Sequence, residues 1–118
     1  MRDSSRKPSN VEIFALYHLG LDRSGVYRFR NLSDCARVYG VDPSTFMTWL
    51  SGAQLDPDMV GTVEFNMAKW HAEAQFVAAT DAERLIAEAH AGYGEALRRR
   101  KPGTFFHAVD YDDIWGDN

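Results

Sequence analysis

Residues 31–52 of this 118-residue chain read NLSDCARVYGVDPSTFMTWLSG, and their pattern decides the fold. On both sides of a break at residues 40–42, apolar residues recur with the period of an α-helix. They are Leu32, Cys35, Ala36 and Tyr39 before the break, and Phe46, Trp49 and Leu50 after it. Asn31 and Asp42 precede the two runs as N-caps, and Pro43 suits a first helical position because no N–H is needed there. The stretch predicts two short helices that share one core.

The same stretch carries a spaced set of small, turn-forming and apolar residues. They are Ala36, Gly40, Val41, Phe46 and Trp49. This pattern resembles the helix-turn-helix of bacterial DNA-binding proteins, in which the small residue lets the helices cross closely and the glycine supplies the turn. The resemblance covers residues 31–52 and implies that motif's fold and binding to double-stranded DNA.

The predicted second helix has an uncharged outer face. With Phe46, Trp49 and Leu50 turned to the core, that face consists of Pro43, Ser44, Thr45, Met47, Thr48 and Ser51. It lacks the Lys, Arg, Asn and Gln side chains that make most specific base contacts, so base reading would fall to hydroxyl groups. The predicted groove contacts are Ser44, Thr45, Thr48 and Ser51.

Arginines cluster within and just before the same stretch, where phosphate-positioning residues of the motif would stand. The predicted phosphate contacts are Arg23, Arg28, Arg30 and Arg37. For Arg28 and Arg30, the alternative is the exposed face of a short strand without a function.

Charge is divided unevenly along the chain, whose net charge is −4. Residues 1–50 carry seven Lys or Arg against five Asp or Glu, whereas residues 51–118 carry six against twelve. A net negative charge disfavours tight non-specific binding to nucleic acid, because the neutralisation of phosphates by Lys and Arg supplies most of the affinity of such binding. The N-terminal half, which contains the predicted helix-turn-helix, is the more basic of the two halves.

Composition predicts a single compact domain without catalytic or metal chemistry. One cysteine, Cys35, excludes an internal disulfide framework, and we expect it to be buried. The four histidines lack ligand or triad spacing, so we expect no enzyme activity, no metal and no cofactor. No segment has the length of apolar sequence that spans a membrane, and no leader pattern is present, so we expect a soluble cytoplasmic protein.

Caps and turn residues divide the rest of the N-terminal half. Residues 1–8 are predicted to be a disordered basic tail. Ser9 and Glu12 form a capping-box pattern that opens a first helix, which Gly20 ends. Residues 26–30 alternate as a short extended segment, with Tyr27 and Phe29 on one side. Residues 9–54 are thus predicted as one helix-turn-helix-like domain of three helices.

The C-terminal half predicts a helical hairpin over residues 55–101, with a role in dimerisation. Asp56 and Pro57 open its first helix, whose seam is Val60, Val63, Met67, Trp70, Ala74 and Val77. A break near residues 79–81 separates it from a second helix that the Thr80 and Glu83 capping box begins. One continuous helix is the alternative.

Residues 102–118 form an acidic-aromatic tail. It either packs back on the helices or binds a protein partner, with Tyr111 and Trp115 as the predicted contacts.

The predicted fold is all-α: a helix-turn-helix-like N-terminal half with one extended segment, a helical hairpin and an acidic-aromatic tail. The predicted function is a small DNA-binding regulator that acts as a homodimer, so that two weak half-sites add. The alternative is a protein-interaction adaptor that uses the motif as a scaffold without binding DNA.

Overall fold

The computed structural model describes residues 7–100, and this part of the chain is all-α as predicted. Its elements are α1 (Asn10–Phe14) continued by a π-helical segment (Ala15–Leu19), α2 (Leu32–Val38), α3 (Pro43–Gly52), α4 (Pro57–Val60), α5 (Met67–Ala74) and α6 (Ala79–Arg98). Its β pairing is limited to one isolated antiparallel bridge, between Leu21 and Tyr27. Most of the predicted basic tail, and the acidic-aromatic tail with Tyr111 and Trp115, lie outside the described residues.

The first helix begins and ends where its caps predicted. The Ser9 hydroxyl accepts a hydrogen bond from the Glu12 backbone N–H at 3.1 Å, and Gly20 ends the π-helical segment with a left-handed φ of 75°. The Glu12 carboxylate does not complete the predicted capping box. It accepts instead from Arg23 and Tyr39, so a tertiary contact has replaced a local one.

The α2–α3 pair matches the predicted pair of helices. Asn31 and Asp34 form a complete capping box at the start of α2, and Gly40 takes a left-handed φ of 68° in the turn. Pro43 stands at the start of α3, but the predicted capping bond of the Asp42 carboxylate is absent. The Asp42 backbone carbonyl accepts instead from the N–H groups of Thr45 and Phe46.

The predicted first arm of the hairpin is interrupted. Asp56 caps α4 as predicted, but α4 ends after one turn at Val60 and α5 begins only at Met67. In the intervening segment the Thr62 hydroxyl donates to the Met59 carbonyl at 2.7 Å. The Asn66 side chain then caps α5 by accepting from the Lys69 N–H. Polar side chains that bond to nearby backbone groups compete with a continuous helix. The apolar spacing from Val60 to Val77 therefore spans two separate helices, α4 and α5, and the segment between them.

A second break separates α5 from α6, so the alternative of one continuous helix is wrong. The break lies at residues 75–78, earlier than predicted, and Ala78 precedes α6 without a side-chain cap. Thr80 and Glu83 therefore lie inside α6 and form no capping box there. The α5–α6 pair is a hairpin with a short first arm.

One hydrophobic core crosses the predicted boundary between residues 54 and 55. Its largest fully buried side chains come from both sides: Ile13, Phe14, Leu19, Leu21, Cys35, Phe46 and Leu50 before the boundary, and Leu55, Val63 and Tyr93 after it. The Tyr93 hydroxyl donates to the Gln54 carbonyl at 2.5 Å, and the His18 ring bonds to the Leu55 carbonyl at 2.7 Å. The two predicted units are packed as one.

Candidate recognition surface

Aromatic packing fixes which side of α3 faces outward. Phe46 and Leu50 are fully buried, and the Phe46 ring stacks on Tyr39 with centroids 6.1 Å apart. Trp49 packs edge-on against Tyr39 at 5.9 Å. Because these three side chains of α3 face the core, its opposite side is left to polar residues.

The predicted groove residues occupy that opposite side. Ser44, Thr48 and Ser51 are exposed, whereas Thr45 is half-buried. The Thr48 hydroxyl donates to the Ser44 carbonyl at 3.0 Å, so its hydrogen is already used within the helix. The outer face therefore carries no charge, and its Ser44 and Ser51 hydroxyls have no hydrogen-bond partner among residues 7–100.

Arg30 is placed differently from the prediction. Its side chain is only 9% exposed, and one guanidinium nitrogen lies 3.2 Å from the Asp22 carboxylate. A second nitrogen donates to the Gly20 carbonyl at 3.3 Å. These internal contacts do not favour the predicted phosphate contact of Arg30, which stays a prediction. The side chain instead fixes the turn after the first helix.

Arg23 lies beside the turn between α2 and α3. Its guanidinium makes two bonds to the Glu12 carboxylate, at 3.0 and 3.2 Å, and the Tyr39 hydroxyl donates to the same carboxylate at 2.7 Å. Burial would raise the pKa of Glu12, but the hydrogen bonds from Tyr39 and Arg23 outweigh it and hold that pKa below its ordinary value. Burial and the Glu12 contact raise the pKa of Tyr39. Glu12 is the residue that sequence analysis missed, because its capping-box position gave it a local role.

Arg28 and Arg37 remain accessible. Arg37 is 73% exposed and pairs with Asp34 one turn earlier on α2, at 2.9 Å. Arg28 is exposed and forms no ion pair with any residue in the range 7–100. A further cation, Lys7, approaches the end of α3: its Nζ lies 3.9 Å from where a Cβ on Gly52 would stand. These three cations border the α2–α3 pair or the segment leading into it.

Within residues 7–100, the three histidines and Cys35 make internal contacts. Tyr27, His71 and His18 are linked in series: the Tyr27 hydroxyl lies 2.8 Å from His71 Nε2, and His71 Nδ1 lies 2.9 Å from the His18 carbonyl. Burial lowers the pKa of His18 and raises that of the Cys35 thiol to about 11. Residues 7–100 contain no cluster of side chains suited to a metal ion.

No protein-family model, curated protein or solved structure matches the chain. Within the described residues, every helix is too short or too polar to cross a membrane.

Proposed function

We propose that this chain is a non-catalytic module that binds double-stranded DNA through α3 and acts as a homodimer. The observation that carries the proposal is the α2–α3 pair itself. Its turn is tight, its inner side is closed by stacked aromatic rings, and the outer side of α3 presents hydroxyl groups to solvent. An exposed helix with a short polar face is what a major groove accommodates.

Four side chains are the proposed phosphate contacts: Lys7, Arg23, Arg28 and Arg37. Arg23 and Arg37 are paired with carboxylates, but both are largely exposed. Exposed ion pairs contribute little to stability, so a phosphate competes for these guanidinium groups at small cost. Arg30 is left out of this set because it is buried against Asp22.

This small set of cations predicts weak binding with a shallow dependence on salt. Each phosphate contact contributes about 0.9 to the slope of log K against log salt, so four contacts give a slope of about −3.6 per protomer. Two serine hydroxyls supply little base discrimination. A homodimer on two half-sites would therefore be needed for useful specificity.

The experiment measures binding of pooled genomic DNA fragments by fluorescence anisotropy between about 50 and 200 mM salt. Arg37→Ala should weaken binding and reduce the slope by about 0.9 per protomer. Arg84→Ala is the matched control, because Arg84 is 71% exposed and pairs with Asp81 at the same i, i+3 spacing, but on α6. It should leave both affinity and slope unchanged.

Two results would refute DNA binding through the α2–α3 surface. One is the absence of any salt-dependent change in anisotropy at low salt. The other is an equal effect of Arg37→Ala and Arg84→Ala, since that would reflect net charge without a defined surface.

A second candidate function is a protein-interaction adaptor. The observation that favours it is the internal pairing of Arg23, Arg30 and Arg37 with carboxylates, which leaves the α2–α3 surface nearly neutral. Neutral surfaces are typical of the centre of protein interfaces, where charged residues are depleted. Ser44→Arg distinguishes the two functions, because an added guanidinium on α3 should strengthen DNA binding but disrupt a neutral protein interface.

A further inference from the structure

The end of α3 holds a residue whose backbone conformation does not suit its side chain. Gln54 has a left-handed φ of 61°, the one positive φ of a non-glycine residue within residues 7–100. A Cβ atom makes this conformation costly, and glycine adopts it without strain. The left-handed residues that end the π-helical segment and follow α2 are both glycines, Gly20 and Gly40. Among the helices of the described residues, α3 alone carries a side chain at such a position.

Hydrogen bonds on both sides hold Gln54 in this conformation. Its N–H donates to the Ser51 carbonyl at 3.0 Å, and the N–H of Leu55 donates to the Leu50 carbonyl at 2.7 Å. This pair of bonds is a Schellman motif, which ends a helix and favours glycine at the position of Gln54. The Tyr93 hydroxyl of α6 donates to the Gln54 carbonyl. The strained residue therefore belongs to a firmly bonded helix end.

The Gln54 side chain takes no part in these bonds. It is exposed, and its carboxamide forms no hydrogen bond with any residue in the range 7–100, since the bonds at Gln54 use backbone atoms. Ser51, which belongs to the exposed outer face of α3, lies three residues earlier. Lys7 approaches the same end of the helix, beside Gly52. A carboxamide on a fixed backbone therefore stands at the end of α3 that also carries a hydroxyl group and a cation of the proposed DNA-binding surface.

We propose that the Gln54 carboxamide contacts a base, and that each half-site carries an adenine at that position. This rests on the proposed binding of DNA through α3. A carboxamide presents a donor and an acceptor side by side, which match N7 and the N6 amino group of adenine in the major groove. Nε2 donates to N7, and Oε1 accepts from the N6 amino group. Gln54 thus supplies the kind of base-reading side chain that the outer face of α3 lacks.

Two variants of the full chain separate the carboxamide from the fold. Gln54→Gly removes the carboxamide and the backbone strain together, so its melting temperature should rise by about 4 °C. A loss of binding by this variant is then not a result of unfolding. Gln75→Gly is the matched control, because Gln75 is exposed at the end of a different helix, α5, and has an ordinary φ of −65°.

The experiment selects and sequences bound duplexes from a library with a randomised segment of about 20 base pairs, which covers two half-sites one helical turn apart. The wild-type protein and Gln75→Gly should enrich an adenine at one position of each half-site, and Gln54→Gly should lose that preference alone. The selected duplex is then made with 7-deazaadenine, which lacks the N7 acceptor, at that position. This change should weaken binding of the wild-type protein about fivefold, as expected for one lost hydrogen bond, and should leave binding of Gln54→Gly unchanged.

Three outcomes would overturn the base contact and leave DNA binding intact. One is salt-dependent binding without an enriched adenine, and another is an enriched adenine that Gln54→Gly retains. The third is a lower melting temperature of Gln54→Gly, which would assign the side chain a structural role. If the wild-type protein shows no salt-dependent binding at all, the proposed function itself fails, and the base contact fails with it.

Discussion

Arg28 and Arg30 stand two residues apart in one extended segment, yet their surroundings differ completely. Arg28 is exposed, whereas Arg30 is held by the Asp22 carboxylate and the Gly20 carbonyl. The Ser24 hydroxyl, its N–H and the Arg30 charge together hold the pKa of Asp22 below its ordinary value. Alternation along a strand would place both arginines on the same side. In the structure, only Arg30 reaches the Gly20 carbonyl and the Asp22 carboxylate in the turn after the first helix.

Arg30→Ala should therefore destabilise the protein. Removal of the guanidinium takes one charged donor from the Asp22 carboxylate and one from the Gly20 carbonyl, although both acceptors keep a bond from Ser24 or from the Arg28 N–H. The loss of a hydrogen bond to a charged group costs about 1–3 kcal/mol. Arg28→Ala, the matched control, should change the free energy of unfolding little. Urea unfolding followed by circular dichroism measures both. Equal effects of the two variants would show that Arg30 is not structural.

His18 gives the fold a dependence on pH. Burial lowers its pKa in the folded state, and burial also lowers the pKa of His90. As the pH falls through about 6.5, the unfolded chain binds protons that the folded protein does not. The free energy of unfolding should therefore decrease as the pH falls from about 7.5 to 5.5.

Urea unfolding at several pH values in that window measures this slope. His18→Gln should flatten it, because the variant has one less group whose pKa differs between the two states. A slope that His18→Gln leaves unchanged would exclude His18 as its source. The carboxylates of Glu12 and Asp22 act in a separate window, below about pH 4.5, because their pKa values are lowered from about 4.

At the scale of elements, two residues that precede helices satisfy the first turn in different ways. Asn66 caps α5 through its side chain, whereas the Asp42 carboxylate makes no capping bond at α3. The carbonyl of Asp42 accepts from two N–H groups of α3 and replaces that bond. A cap signal in the sequence therefore predicts where a helix begins more reliably than which atom satisfies it.

Asn66→Ala should lower the free energy of unfolding by about 1 kcal/mol, as expected for the loss of a capping side chain. Asp42→Ala should cost distinctly less, since no capping bond is lost. Thermal or urea unfolding of the two variants in parallel makes the comparison. A larger effect of Asp42→Ala would mean that its carboxylate does cap α3 in solution.

Sequence periodicity located most elements but not the interruption between α4 and α5. The apolar spacing from Val60 to Val77 fits a helix, although Val63 is buried within the non-helical segment at residues 61–66. A residue in a turn can be buried in the core just as one on a helix face can. An apolar residue such as Val63 can therefore fall at helical spacing without lying in a helix. The Asn66 cap was the available local signal.

At the scale of the whole molecule, the shared core predicts cooperative unfolding of the described helices. Trp49 and Trp70 report on either side of residue 54, and both pack against the core. Two variants test this: one keeps only Trp49 and the other keeps only Trp70, and both carry Trp115→Phe. In each variant, the unfolding midpoint measured by fluorescence should match the midpoint measured by circular dichroism. Separate midpoints for Trp49 and Trp70 would favour the two units that the sequence predicted, residues 9–54 and 55–101.

The sequence by itself determined the helical class, the α2–α3 pair, the end of the first helix at Gly20 and the burial of Cys35. These follow from apolar period, capping chemistry and glycine conformation, which act over a few neighbouring residues. Only the tertiary structure decided that Arg30 is buried, that Glu12 joins Arg23 to Tyr39, and that one core crosses residue 54. Each of these depends on residues distant in sequence, and the spacing of residues along a chain carries no information about such contacts.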